Sequence, residues 1–353
     1  MRAAASRRRR RARMRLLAGS NVETLHVRAS RQLDAVLPLT AADADRAQIL
    51  FRSLEAFFEP LGTCYVVAPD AEVAAVRAKV PHDRYMVLAD SDVIPELRAF
   101  QRAARFRARL RLAGPPFHGW FVQQLVKLAI ADRVQTSFYL TLDADVICVR
   151  PTRYEDLVVG GRAVVQTTPP NHPEWNDDAE RVLALPRLGR QYAVTPALFS
   201  AEAVARLSRH LSGRVDPRLR RLASRLPGGV MREIVAGWHA FLLRNLPWTE
   251  YALYHTFLVR AGAFETYHLD AGPDAIYSNA VWMEDEFDDW DPAAPGTPDA
   301  SFRFSIVQSA TRIPPERVWA KVAPLLAERS STKRATAAAR LPSSAPRSLA
   351  SAQ

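Results

Sequence analysis

Apolar and polar positions along residues 33–150 alternate between two periods. The run Leu33-Asp34-Ala35-Val36-Leu37-Pro38-Leu39 reads as a buried strand. From Ala41 to Phe58 the positions Ile49, Leu50, Leu54, Phe57 and Phe58 recur every three or four residues, which predicts an amphipathic helix. Cys64–Val67 predicts a second strand, Asp70–Val80 a short helix ended by Pro81, and Tyr85–Leu88 a third strand. Trp120–Ala131 predicts another helix, and Ser137–Leu142 a β-rich run that resumes at Val146–Val149 after Asp143-Ala144-Asp145. Such β-α-β-α-β alternation predicts an α/β fold, a mostly parallel sheet with helices on both faces. It also requires right-handed crossovers and directs ligands to the carboxyl ends of the strands.

Beyond Pro151 the pattern loosens. Ala163–Val165 predicts a strand, Asn171–Asp178 a polar, aromatic loop, and Ala201–Leu211 and Glu250–Val259 helices separated by a poorly patterned bridge. Asp270–Pro298 is acidic and Pro-rich and reads as loop, with a last strand at Phe302–Val307 and a last helix at Pro315–Leu326. After Glu328 the Ser/Ala/Arg/Pro composition predicts a disordered tail. No internal repeat is present.

Composition adds one decisive point. The chain has 353 residues, 48% hydrophobic and 24% charged, as in ordinary globular proteins, and a net charge of +11. That charge is at the ends: residues 1–31 hold ten Arg against one Glu, and residues 328–353 four Arg and one Lys against one Glu. The remaining 32–327 sum to 11 − 9 − 4 = −2, which removes the motive for a specific nucleic-acid reading. The expected organisation is a basic tail at 1–31, one domain at 32–327 divided into halves at 150, and a tail at 328–353. The Arg7–Arg13 run is either a solvated tail, with Met14 a possible true start, or a peripheral contact with anionic lipid. No apolar segment of secretory type follows it and no run is long enough to span a bilayer, so the expected location is cytoplasmic, with any membrane contact at the inner face. Cys64 and Cys148 match no metal-ligand spacing.

P-loop, dinucleotide, zincin and hydrolase-elbow motifs are all missing. What remains is Asp-x-Asp, at Asp43/Asp45, Asp90/Asp92, Asp143/Asp145 and Asp289/Asp291. Asp43/Asp45 opens a predicted helix and Asp289/Asp291 sits in an acidic loop. Asp143/Asp145 differs, being flanked on both sides by strand-like apolar residues. Two carboxylates so placed repel unless a cation lies between them. In an extended segment residues i and i+2 share a face, so both would converge on one Mg²⁺ or Mn²⁺. The competing reading is a turn whose Asp side chains satisfy backbone amides.

At these residues FYLTLDADVICVRP resembles the central strand–DXD–strand of the GT-A type glycosyltransferases. HGWFVQQLVKLAIAD at His118–Asp132 and WTEYALYHTFL at Trp248–Leu258 are similar to a bacterial branch of the same superfamily. The resemblance covers residues 33–325. It implies a GT-A-like, Rossmann-like fold and transfer of a sugar from a nucleoside diphosphate sugar to an acceptor hydroxyl. It further implies a divalent cation at Asp143 and Asp145, with Asp143 also on the nucleotide side.

Family architecture would put Asp90 and Asp92 near the base or ribose; the alternative is a carboxylate capping a helix at Val93–Phe100. Gln123, Gln124 and Lys127 form a polar stripe on the Trp120–Ala131 helix. Lys127 is one of four Lys against 44 Arg, which marks either a compact ammonium wanted against phosphate or a solvated side chain. Glu250, opening its helix, is a candidate catalytic residue on the acceptor side or a first-turn carboxylate favoured by the helix dipole. His172 and Trp175 are candidates to contact a sugar ring, or simply packing. One departure counts against metal dependence: there is no His after His268, and only Gln308 and Ser309 stand where many retaining members supply a third ligand. Two rival readings are a catalytically silent GT-A-like binding or scaffold module and a sugar-phosphate nucleotidyltransferase. The latter lacks its basic Gly-rich loop after the first strand.

Overall fold

The computed structural model describes residues 31–109, 119–294 and 302–339. Its centre is a five-stranded sheet. Four strands run parallel, β1 (Leu33–Pro38), β2 (Leu61–Ala68), β3 (Tyr85–Ala89) and β4 (Phe138–Thr141), and β6 (Ala197–Ser200) closes the sheet antiparallel, in the order β6-β4-β1-β2-β3. Val36 is paired to Tyr65 on one side and Thr141 on the other, while Leu140 faces Leu198. Every residue of β1 and β4 is buried, which is why these runs lack polar alternation. Helices surround the sheet, giving the Rossmann-like arrangement, and one hydrophobic cluster draws residues from before and after position 150.

Several boundaries differ from those the sequence predicts, each for a local reason. The first helix, α1, spans Ala47–Phe57. Residues 41–46 form turns instead, because Thr40 Oγ1 donates to Asp43 Oδ2 at 2.7 Å and the Asp43 amide bonds back to Thr40. Pro95 separates a short turn at Asp90–Val93 from α2 (Leu97–Arg109), replacing the single helix predicted over Val93–Phe100. The predicted loop at Asn171–Asp178 is largely the start of α4 (Pro173–Leu183), which follows α3 (Gly119–Ala129); Pro173 opens it, Glu174 sits in its first turn, and Ala179, Val182 and Leu183 are buried. The bridge after α5 (Ala201–Arg214) holds three helices, α6 (Pro217–Arg225), α7 (Gly229–Ala236) and α8 (Trp238–Arg244), before α9 (Glu250–Arg260). The last helix, α10 (Pro315–Ala339), continues beyond Glu328, where Ala, Arg and Lys are strong helix formers and Arg329 lies over the Phe57 ring. Arg7–Arg13, Met14, His118 and the tail past 339 lie outside the described residues. No described helix is long and apolar enough to cross a membrane.

Two buried polar groups fix the frame. Asp34, 3% exposed, accepts from the Thr63 amide at 2.9 Å and the Gln135 amide at 2.6 Å, joining the entry of β2 to the turn before β4. A Cβ on Gly62 would lie 2.5 Å from Asp34 Oδ1. Gly62→Ala therefore displaces the carboxylate, and we expect a loss of about 1–3 kcal/mol, read as a lower midpoint in urea with an unchanged slope.

The second is His268. Its Nε2 is 2.7 Å from the Tyr254 hydroxyl and its Nδ1 3.3 Å from the Ala163 carbonyl. A neutral ring with the proton on Nδ1 satisfies both contacts, since Tyr254 then donates to Nε2. Burial pushes the imidazole down to about 4. Because the folded value lies below the unfolded one, near 6.5, stability is intact above about pH 6.5 and is lost as pH falls from there through about 4, by about 3 kcal/mol. His268→Gln should flatten that part of the stability–pH curve, measured by denaturation between pH 7 and 4.

Candidate functional site

The carboxyl ends of the four parallel strands carry Leu39 and Thr40, Pro69 and Asp70, Asp90, and Asp143. Among the cavities that open there, α3 is a wall of two. One, of about 250 Å³, is mainly apolar, lined by Leu39, Val67, Val122 and Val126, with Thr40, Asp90, Gln101 and Gln123 as polar groups. The other, a cleft of about 860 Å³, holds Gln124, Lys127, Asp143 and Asp145. The stripe read on α3 is thus divided: Gln123 faces the apolar pocket, whereas Gln124 and Lys127 face the cleft.

Asp143-Ala144-Asp145 is a turn between β4 and β5 (Val146–Cys148), not an extended segment, so same-face alternation is not what brings its carboxylates into the cleft. The turn is fastened from both sides. Asp143 Oδ1 pairs with Lys127 Nζ at 2.8 Å. Asp145 Oδ2 accepts the Ser309 amide at 2.9 Å, and its own carbonyl accepts the Val307 amide. Ser309 follows β7 (Phe304–Ile306), which pairs with β5, and Gln308 beside it also lines the cleft. The segment 304–314 therefore does reach the acidic pair, through a backbone amide. Asp145 Oδ1 is buried with no hydrogen-bond partner, and burial together with Asp143 pushes this carboxyl up to about 6. Two of the other Asp-x-Asp pairs have local roles: Asp43 closes a turn, Asp45 pairs with Lys79, and Asp291 accepts the Ala293 amide.

Lys127 is not a solvated lysine. It is 1% exposed and lies 2.8 Å from Asp143, 3.2 Å from Glu250 Oε1 and 3.2 Å from the Tyr251 hydroxyl. Burial alone would lower its pKa, yet Asp143, Tyr251 and Glu250 outweigh that and hold the ammonium charged. Thr249 caps α9 by accepting the Ala252 amide, which sets Glu250 in the first turn, and Gln124 Oε1 accepts the Glu250 amide at 3.3 Å. Glu250 itself is 0% exposed and stands behind Lys127. Burial raises the Glu250 carboxyl against the pull of Lys127, and neither of its oxygens has a hydrogen-bond partner beyond that ion pair. The structure places it beneath the cleft floor rather than in the cleft, where an acceptor-side carboxylate was expected.

Of the second acidic pair, Asp90 alone enters a cavity. It is 4% exposed, its Oδ1 has no hydrogen-bond partner, and burial with repulsion from Asp70 pushes its carboxyl up to about 6. Asp92 is exposed and accepts the Ala89 amide, the capping alternative. His172 and Trp175 line the cleft as a stacked pair, ring centroids 4.3 Å apart. Among the cleft residues not singled out by sequence are Tyr251, bonded to Lys127; Glu286, whose Oε2 accepts the Trp282 and Met283 amides; and half-buried Asp274. Asp274 has φ +55°, a left-handed backbone that Asp tolerates. Only its place between Gly272-Pro273 and a short apolar run signalled it.

A divalent cation fits the acidic turn on one count: Asp145 holds an unpartnered buried oxygen beside Asp143. Among the described residues no third His, Cys, Asp or Glu joins the pair into a ligand cluster. An ion here would complete its shell from amide or carbonyl oxygens, water and phosphate.

An α/β protein with an acidic, lysine-anchored cleft at its strand ends is thus defined. Residues 30–330 match the sequence profile of a family described as "Family of unknown function (DUF6492)", and the chain belongs to that family. No curated protein matches the chain significantly.

Removing Lys127 leaves Glu250 and Asp143 uncompensated in a buried setting. Lys127→Met should cost about 3–5 kcal/mol, and Lys127→Met with Glu250→Gln should recover part of it, a coupling that a double-mutant cycle in urea measures.

Proposed function

We propose that this chain is a glycosyltransferase of GT-A type, moving a sugar from a nucleoside diphosphate sugar to an acceptor hydroxyl. The observation that carries the reading is the Asp143–Asp145 turn at the carboxyl end of β4, facing a cleft and braced by Lys127 on one side and Ser309 on the other. In this reading the apolar pocket receives the nucleobase, with the free Asp90 oxygen accepting an N–H of the base or a ribose hydroxyl. The diphosphate lies across α3 toward Asp143 and Asp145.

A bound Mg²⁺ or Mn²⁺ would neutralise the leaving diphosphate, the electrostatic requirement of such a transfer. The chain's own residues do the positioning. Lys127 fixes Asp143, Asp143 with Tyr251 and Glu250 keeps Lys127 charged, and Ser309 orients Asp145. On the acceptor side, Asp274 and His172 are the cleft groups suited to hold or accept a hydroxyl proton, in place of Glu250. The burial of Glu250 also favours a second reading, a nucleotide-binding module without transfer.

Calorimetric titration with UDP and GDP, with and without Mn²⁺, tests the proposal. Metal-supported binding of one nucleotide is expected, and binding of neither overturns both readings. Binding without donor-sugar hydrolysis or transfer selects the silent module. Asp145→Asn should weaken Mn²⁺-dependent binding at least about tenfold while the melting temperature holds or rises, because a hard cation prefers anionic oxygen and the apo pair loses a repulsion.

A further inference from the structure

The helices α6 and α7 pack on each other as a hairpin that the other described residues barely cover. In α6 only Ala223 is buried. Arg218, Arg220, Arg221 and Arg225 are exposed, and so is Leu222, at 50%. In α7 Met231 is 47% exposed, Arg232 is exposed, and Ile234 and Val235 are half-buried. Helices of nine and eight residues gain little from propensity alone and ordinarily depend on a packed apolar face. Here that face is left largely in solvent.

Its chemistry says what would cover it. At helical spacing Arg218, Leu222 and Arg225 (i, i+4, i+7) share one face of α6, with Leu219 and Leu226 beside them. Residues 217–236 hold five Arg against one Glu. Large apolar side chains ringed by arginines on an exposed amphipathic helix suit the boundary between lipid headgroups and acyl chains. A second copy seated on the same face would set five arginines against five, which repel. A nucleic acid would gain from the arginines but not from Leu222 and Met231, and this hairpin offers no exposed aromatic ring to stack a base.

We propose that the α6–α7 hairpin docks this protein on anionic lipid bilayers, Leu222 and Met231 entering the interface and Arg218, Arg221 and Arg225 contacting lipid phosphates. The site shares no residue with the Arg7–Arg13 run or with the cleft, and it does not depend on the glycosyltransferase reading.

The test uses the full chain, with its N-terminal arginines in place, and vesicles of phosphatidylcholine alone or mixed equally with phosphatidylglycerol. Wild type should sediment with the mixed vesicles and not with the neutral ones. Each arginine near a charged surface changes partition about fivefold, so Arg218→Gln/Arg221→Gln/Arg225→Gln should lower it on the order of 100-fold. Leu222→Asp/Met231→Asp should lower it comparably; circular dichroism confirms that both variants fold.

Insertion is read separately. Met231→Cys labelled with an environment-sensitive fluorophore should brighten and blue-shift on mixed vesicles, while the same label at Met283→Cys, on the cleft loop, should not; Cys64 and Cys148 are buried and leave the label selective. Sedimentation of both variants equal to wild type would overturn the proposal and assign lipid binding to the N-terminus. Absence of wild-type sedimentation would overturn it too. So would loss of binding in the arginine variant alone with no change at position 231, or binding of a duplex oligonucleotide in preference to the mixed vesicles.

Discussion

The buried ammonium of Lys127 is the constraint on which the cleft depends. It joins three segments distant in sequence: α3, which carries it, the turn after β4, through Asp143, and the first turn of α9, through Glu250. Neither Lys127 nor Glu250 would be tolerable alone at such burial, since an unpaired ion loses several kcal/mol of hydration, whereas Asp143 keeps about a third of its side chain open to the cleft. Together they lock the register of α3 against the sheet and of α9 against α3. Tyr251 extends the lock to Thr141 on β4, with 3.2 Å from its hydroxyl to each of Lys127 Nζ and Thr141 Oγ1. Asp143 can therefore present its other oxygen to the cleft without being free to move.

That arrangement also explains why Lys stands where this chain otherwise favours Arg. Nζ must meet Asp143, Glu250 and Tyr251 from one point between α3, the turn and α9. A compact ammonium with three divergent donors can do this, whereas a planar guanidinium would need more room and a flatter set of partners. The same volume limit makes Glu250 structural. The spacing that places a carboxylate at the start of α9 is identical for an acceptor-side base and for a buried counter-ion, and only the depth of α9 separates them. Depth comes from long-range packing, here the stacking of Tyr254 on Phe199, 4.2 Å between ring centroids, which draws α9 onto β6.

The parallel strands, α1, α3 and the isolation of Asp143/Asp145 between apolar runs were legible in the sequence because they rest on local period and burial. Three things were not. The α4 start was hidden because His172, Trp175, Asn176 and Asp177 look like loop residues unless Pro173 is weighed as a first helical position. The fastening of Asp145 by Ser309 joins positions 164 residues apart and has no local signature. The division of the α3 stripe, with Gln123 in one cavity and Gln124 in the other, turns on about 100° of helix rotation that spacing alone does not orient.

Net charge was the least informative number of all. The core sums to −2, yet residues 270–294 hold eight acidic side chains and no Lys or Arg, while residues 97–109 hold five Arg and no acid, and residues 217–236 five Arg and one Glu. The opposite signs are segregated rather than mixed. Beyond a screening length of about 8 Å, distant patches act independently, so a near-neutral total does not cancel a basic face. An anionic surface meeting the arginine-rich helices would feel them at full strength, and would be repelled only by approach from the acidic loop that borders the cleft. Charge segregation of this kind gives a protein an orientation at a charged boundary before any specific contact is made.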